Sequence, residues 1–136
     1  MTLRHDTNGK ARMGIHRNIS GSAVTLLLLL SGASPAQAHA QLRASTPAAG
    51  GTVATAPTEV LVNFNEPLES SFSTVVVRDA VGKRIDKADA HLDKGDRTTM
   101  RVSLPPLAQG IYIVEWRALT TDTHRTEGAF IFRVGE

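Results

Sequence analysis

Two places in this 136-residue chain put metal-ligating groups where they could act. The first is His39. It follows Ser34-Pro35-Ala36-Gln37-Ala38, the small-x-small pattern that signal peptidases cut, and upstream lie an apolar stretch, Ala23 to Leu30, and the basic residues Arg12 and Arg17. Cleavage after Ala38 would give His39 a free α-amine. An N-terminal histidine can close a chelate ring through that amine and its imidazole Nδ1, which no internal histidine can do. The second place is Asp122-Thr123-His124. If that segment is extended, residues two apart point the same way, and the carboxylate and imidazole can converge on one ion. Together the two places offer three nitrogens and one oxygen, a tetragonal set that suits Cu(II). Taken alone, Asp-x-His is a pair that solvated loops commonly carry, and spacing does not bring His39 near Asp122. What sharpens the reading is a histidine at a cleavage site in a chain with only three histidines beyond residue 38: His39, His91 and His124.

The elements that must position these groups read as short strands. Val60, Val62 and Phe64 alternate with Leu61, Asn63 and Asn65, and Met100, Val102 and Leu104 alternate with Arg101 and Ser103. Val75 to Arg78, Tyr112 to Trp116 and Phe130 to Val134 follow the same rule, and weaker strands are expected near Gln41 to Ser45 and Arg84 to Ala90. Turn residues fall between them at Pro47 to Gly51, Ala80-Val81-Gly82-Lys83 and Asp93 to Asp96. No helical periodicity, repeat or low-complexity stretch follows residue 38. Leu107-Ala108-Gln109-Gly110-Ile111-Tyr112 has the form of a tyrosine corner, in which a Tyr early in a late strand bonds back to the preceding loop. The expected fold is therefore all-β, an immunoglobulin-like Greek-key sandwich of about seven strands, with Tyr112, Trp116 and Met100 in its core.

Composition narrows the function. The apolar run is shorter than the roughly 20 residues that span a bilayer, so residues 1–38 read as a removed signal peptide, with Met13 an alternative start. Residues 39–136 read as one exported, soluble domain. The whole chain carries a formal charge of +2, but four of its 15 Lys and Arg (Arg4, Lys10, Arg12, Arg17) and one of its 13 Asp and Glu (Asp6) lie in the signal segment. What remains is 11 against 12, a charge near −1, which argues against nucleic-acid binding. With no cysteine the domain can form neither a disulfide nor a thiolate metal site.

The chain beyond residue 38 resembles the CopC-type periplasmic copper-resistance domain. The likeness rests on His39-Ala40-Gln41-Leu42, Ser45-Thr46-Pro47-Ala48, Phe64-Asn65-Glu66-Pro67-Leu68, Gly110-Ile111-Tyr112-Ile113-Val114-Glu115-Trp116-Arg117, Thr121-Asp122-Thr123-His124, Gly128 and Phe130-Ile131-Phe132. What it implies is one Cu(II) per mature chain, held by His39, Asp122 and His124. It also implies a role for Glu66 in orienting the N-terminal ligand through a hydrogen bond, against the equal reading of a solvated turn carboxylate. Some members of that family carry a methionine-rich insertion for Cu(I). Here Val77 to Lys83 holds no Met, and Met100, the only methionine past residue 38, alternates with core positions, so a Cu(II)-only site is expected.

By the same resemblance the domain is a monomeric periplasmic protein that buffers copper or delivers it to a CopD-type inner-membrane transporter. Glu136 ends the chain after the last strand, so a fused membrane domain is not expected. His91 matches no family ligand and reads as a surface residue, although Asp89 and His91 repeat the Asp-x-His spacing and keep a weak second metal site open. Two other functions stay in view. A copper oxidative enzyme of the histidine-brace type would also use an N-terminal His, but would keep a coordination position open where Asp122 would sit. A metal-free exported interaction module would use none of these residues.

Overall fold

The computed structural model describes residues 40–136. The expected signal segment, residues 1–38, and His39 lie outside the described residues. Eight strands form: β1 (Leu42–Thr46), β2 (Thr52–Val53), β3 (Glu59–Phe64), β4 (Thr74–Asp79), β5 (His91–Asp93), β6 (Asp96–Ser103), β7 (Gly110–Leu119) and β8 (Arg125–Val134). One short 3₁₀ turn, Ser70–Phe72, is the only helical element among the described residues. They hold no helix long and apolar enough to cross a membrane.

Alternation along each strand decides how these pieces pack. Four strands form one sheet in the order β1-β3-β6-β5, and four form a second in the order β2-β8-β7-β4. The first sheet turns Val60, Val62, Phe64, Met100 and Val102 inward. The second answers with Val75, Val77, Tyr112, Val114, Trp116, Phe132 and Val134, all members of one buried cluster. Each fully buried Val or Leu side chain contributes about 1.5–3 kcal/mol relative to exposure. Phe64 and Trp116 meet edge to face across the two sheets with ring centroids 5.1 Å apart. Tyr112 stacks on Phe132 and donates its hydroxyl hydrogen to the Ala108 carbonyl at 2.7 Å, which closes the expected tyrosine corner.

Two strand expectations needed adjustment. β2 is only two residues long and pairs in parallel with β8, Thr52 opposite Arg133 and Val53 opposite Val134. That long-range pairing leaves no local pattern to read, and it raises the strand count from about seven to eight. The Arg84 to Ala90 stretch is not a strand. The turn before it forms as expected, with Gly82 at φ +86° and the Asp79 amide bonded to the Lys83 carbonyl at 2.9 Å. Ile85 then bonds to Val77, but at the next step the Asp86 side chain, not a backbone carbonyl, takes the Val77 N–H at 2.8 Å. Ala88 follows at φ +58°, which breaks any continued ladder, and pairing resumes at His91.

The site-bearing element is the β7–β8 hairpin. Its two ten-residue arms pair in register from Gly110 opposite Val134 to Leu119 opposite Arg125, leaving Thr120 to His124 as the connecting loop.

Candidate metal centre

The loop is built from the backbone outward. The Thr120 N–H donates to the His124 carbonyl at 2.9 Å, and the Thr123 N–H donates to the Thr120 carbonyl at 2.9 Å. The Thr121 N–H reaches the Pro67 carbonyl at 3.1 Å, and a bridge pairs Thr120 with Leu68. The loop is thus tied at its base to the Phe64-Asn65-Glu66-Pro67 turn, which brings Glu66, a partly buried residue, into the same end of the sandwich.

Asp122 and His124 converge, but by a route other than the extended one expected. Thr123 has φ +74°, a left-handed conformation that a β-branched residue rarely adopts, so the segment turns sharply between the two side chains. The turn carries the His124 Nδ1 to 3.1 Å from the Asp122 Oδ2. Both side chains keep a little under half of their surface open, although the His124 Nδ1 atom itself is buried. The other Asp122 oxygen, Oδ1, accepts a hydrogen bond from the Thr120 hydroxyl. That bond, followed by the interaction with His124, holds the Asp122 carboxyl below the usual carboxylate range, so its ionised form persists into acid.

A carboxylate and an imidazole are two donors, and among the described residues no group of three or more His, Cys, Asp or Glu is placed to hold a metal. Any further donor would have to come from outside this pair. The chain enters the described region at Ala40, 2% exposed, whose carbonyl accepts the Thr126 hydroxyl at 2.8 Å. Gln41 is held in turn by Asn65: its N–H donates to Asn65 Oδ1 at 2.7 Å, and its carbonyl accepts the Asn65 N–H at 3.2 Å. The start of the domain is therefore pinned between the residue two past His124 and the residue before Glu66.

His91 is exposed, with Nδ1 2.7 Å from the Asp89 carbonyl, while the Asp89 carboxylate accepts the Ser103 N–H at 2.8 Å. Thr120, Thr126 and Asn65 were missed at the sequence level. The available signal was the threonine two residues before Asp122, a spacing at which hydroxyls and carboxylates pair locally.

The CopC domain profile matches residues 42–135. The chain belongs to the CopC domain family. It is 31% identical over 114 residues, 83% of its length, to the copper transport protein CutJ of Bacillus subtilis (strain 168), of which it spans about a fifth (21%). Among solved structures it resembles CopC from Methylosinus trichosporium OB3b, with 30% identity, a TM-score of 0.63, and coverage of 71% of this chain and 93% of that one. PcoC, a methionine-rich copper resistance protein from Escherichia coli, matches at 31% identity and TM-score 0.61, over 71% of this chain and 99% of the other. The CopC assignment bears out the family resemblance read from the sequence, and the all-β sandwich agrees with these neighbours.

Proposed function

We propose that residues 39–136 form a periplasmic Cu(II)-binding domain of the CopC family, exported by a signal peptide comprising residues 1–38 and carrying one Cu(II) as cargo on His39, Asp122 and His124. The observation that carries this reading is the 3.1 Å approach of the Asp122 carboxylate and the His124 imidazole on a loop beside the clamped start of the domain. Residue 39 lies one peptide, about 3.8 Å between Cα atoms, from Ala40. The Ala40 carbonyl is bonded to Thr126, and continuing the β8 alternation one step back puts His124 on the same side as Thr126. An N-terminal amine and imidazole delivered there would complete a set of three nitrogens and one oxygen, which fits the preference of Cu(II). Glu66, next to the Asn65 that holds Gln41, is positioned by sequence to orient that terminus by a hydrogen bond.

The names of the relatives, a copper transport protein and a methionine-rich copper resistance protein, support copper as the cargo. Met100 is fully buried in the core, and Val77 to Lys83 is a plain turn without methionine, so soft Cu(I) ligands of the methionine-rich kind are not provided there. With Asp122 filling a fourth position, the site suits capture and delivery rather than oxygen activation. The domain acts as a monomer that buffers Cu(II) or passes it to a CopD-type inner-membrane transporter.

The test is a Cu(II) titration against a competing chelator, with EPR at saturation, on protein starting at His39 and on the same protein with one extra N-terminal residue. We expect one tight equivalent with a nitrogen-rich tetragonal spectrum, strongly weakened by the added residue. Equal binding by the two forms would remove the N-terminal ligands. Because amine and imidazole nitrogens must be deprotonated to bind, acid should release the metal.

A further inference from the structure

Resting on the copper site proposed above, we infer that Thr120 is the positioning residue of the Asp122–His124 pair: its hydroxyl fixes the Asp122 carboxylate in its ligating orientation before any metal arrives. Thr120 is 1% exposed, one of three buried polar or charged residues among those described, and it lies at the base of the loop that carries both side chains. A hydroxyl has one hydrogen to give and lone pairs to accept with. Here the hydrogen goes to Asp122 Oδ1, and the oxygen accepts the His124 N–H at 3.0 Å. One buried group therefore touches both residues of the pair. The His124 carbonyl, 3.2 Å from the same oxygen, already receives the Thr120 N–H at 2.9 Å.

Loop closure alone does not call for this hydroxyl. Thr120 N–H to His124, Thr123 N–H to Thr120, Thr121 N–H to Pro67 and the bridge to Leu68 close and anchor the loop through backbone groups. Beyond accepting the His124 N–H, what the hydroxyl adds is a hold on a side chain. The Asp122 carboxylate is about half exposed, and without the hydroxyl only its contact with His124 would hold it against rotation into water. Fixing Oδ1 from the buried side leaves Oδ2 facing His124 Nδ1, the orientation in which carboxylate and imidazole address the same space. Outer partners that orient ligands in this way typically matter 10–100-fold in metal affinity.

The experiment compares wild type, Thr120→Val and Thr120→Ser, each starting at His39, by chelator competition and EPR, with thermal melts of the metal-free proteins. Thr120→Val keeps the volume and loses the hydroxyl; it should bind Cu(II) about 10–100-fold more weakly and show an altered parallel hyperfine splitting. Thr120→Ser should return both to near the wild-type values. If Thr120→Val does not fold, Thr120→Ala carries the same comparison. Wild-type binding with Thr120→Val unchanged in affinity and spectrum would overturn the inference. So would equal weakening by Val and Ser, which would assign the effect to packing. Failure of wild type itself to bind would instead overturn the copper reading on which the inference rests.

Discussion

His124 sits between two threonines that do different work. Thr120 presses on the loop from its buried side, and Thr126 holds the Ala40 carbonyl at 2.8 Å. If the second hydroxyl is what seats the N-terminal ligands, Thr126→Val should weaken Cu(II) binding by protein starting at His39. It should have little effect on the weaker binding of the form with an extra N-terminal residue, whose amine is displaced. Chelator competition on the four proteins checks this, and a parallel loss in both forms would show that Thr126 acts on the loop and not on the terminus. At this scale the sequence announced the candidate ligands and left out what holds them in place. Asp122 and His124 stood out because few residues can ligate, whereas a hydroxyl that positions them is one threonine among many until its partners are known. The conformation of Thr123 was equally hidden, since nothing in Asp-Thr-His marks its middle residue for a positive φ.

The β7–β8 hairpin joins the loop to the core. Its arms were legible from alternation alone, and so were β3, β4 and β6, because each buries one face against the opposite sheet. β2 and the Arg84 to Ala90 stretch escaped that logic. The first is defined by a partner some eighty residues away, and the second is settled by a side chain substituting for a backbone acceptor. Gly128 shows how tightly the hairpin is fitted: a Cβ there would lie 2.5 Å from Trp116 Cζ2. The indole cannot easily yield, being 8% exposed and packed against Phe64. Gly128→Ala should therefore cost about 1–3 kcal/mol, a fall in Tm of roughly 4–8 °C per kcal/mol for a domain of this size. A calorimetric melt of the metal-free protein checks it. An unchanged Tm would mean that the ring has room to move.

For the molecule as a whole, acid acts on two separate sets of groups. The Asp86 carboxyl is pushed up by burial. The hydrogen bond from Arg84 and those from the Val77 and Ala88 amides outweigh this and hold it below the usual carboxylate range. Asp96 is lowered by the Thr98 side chain and amide and by the Thr99 hydroxyl. A carboxyl lowered in the folded state adds stability above its unfolded value, about 3.9, and that stability is lost as pH falls through the lower folded value. The fold should thus hold until below about pH 4, so above that pH protons compete for the nitrogen donors on a domain that is still folded. We expect the Cu(II) EPR signal to fade before the β-sheet circular dichroism does when pH is stepped down. Simultaneous loss would tie metal release to unfolding.

Asp86 has one more consequence. Its carboxylate, with the Ile85 N–H and the Lys83 carbonyl, covers the outer edge of β4 from Val77 to Asp79, backbone that would otherwise offer itself to a strand of another molecule. That cover depends on the same ionised group that resists mild acid. Acid too mild to protonate Asp86 would therefore leave this edge guarded against a strand of another molecule.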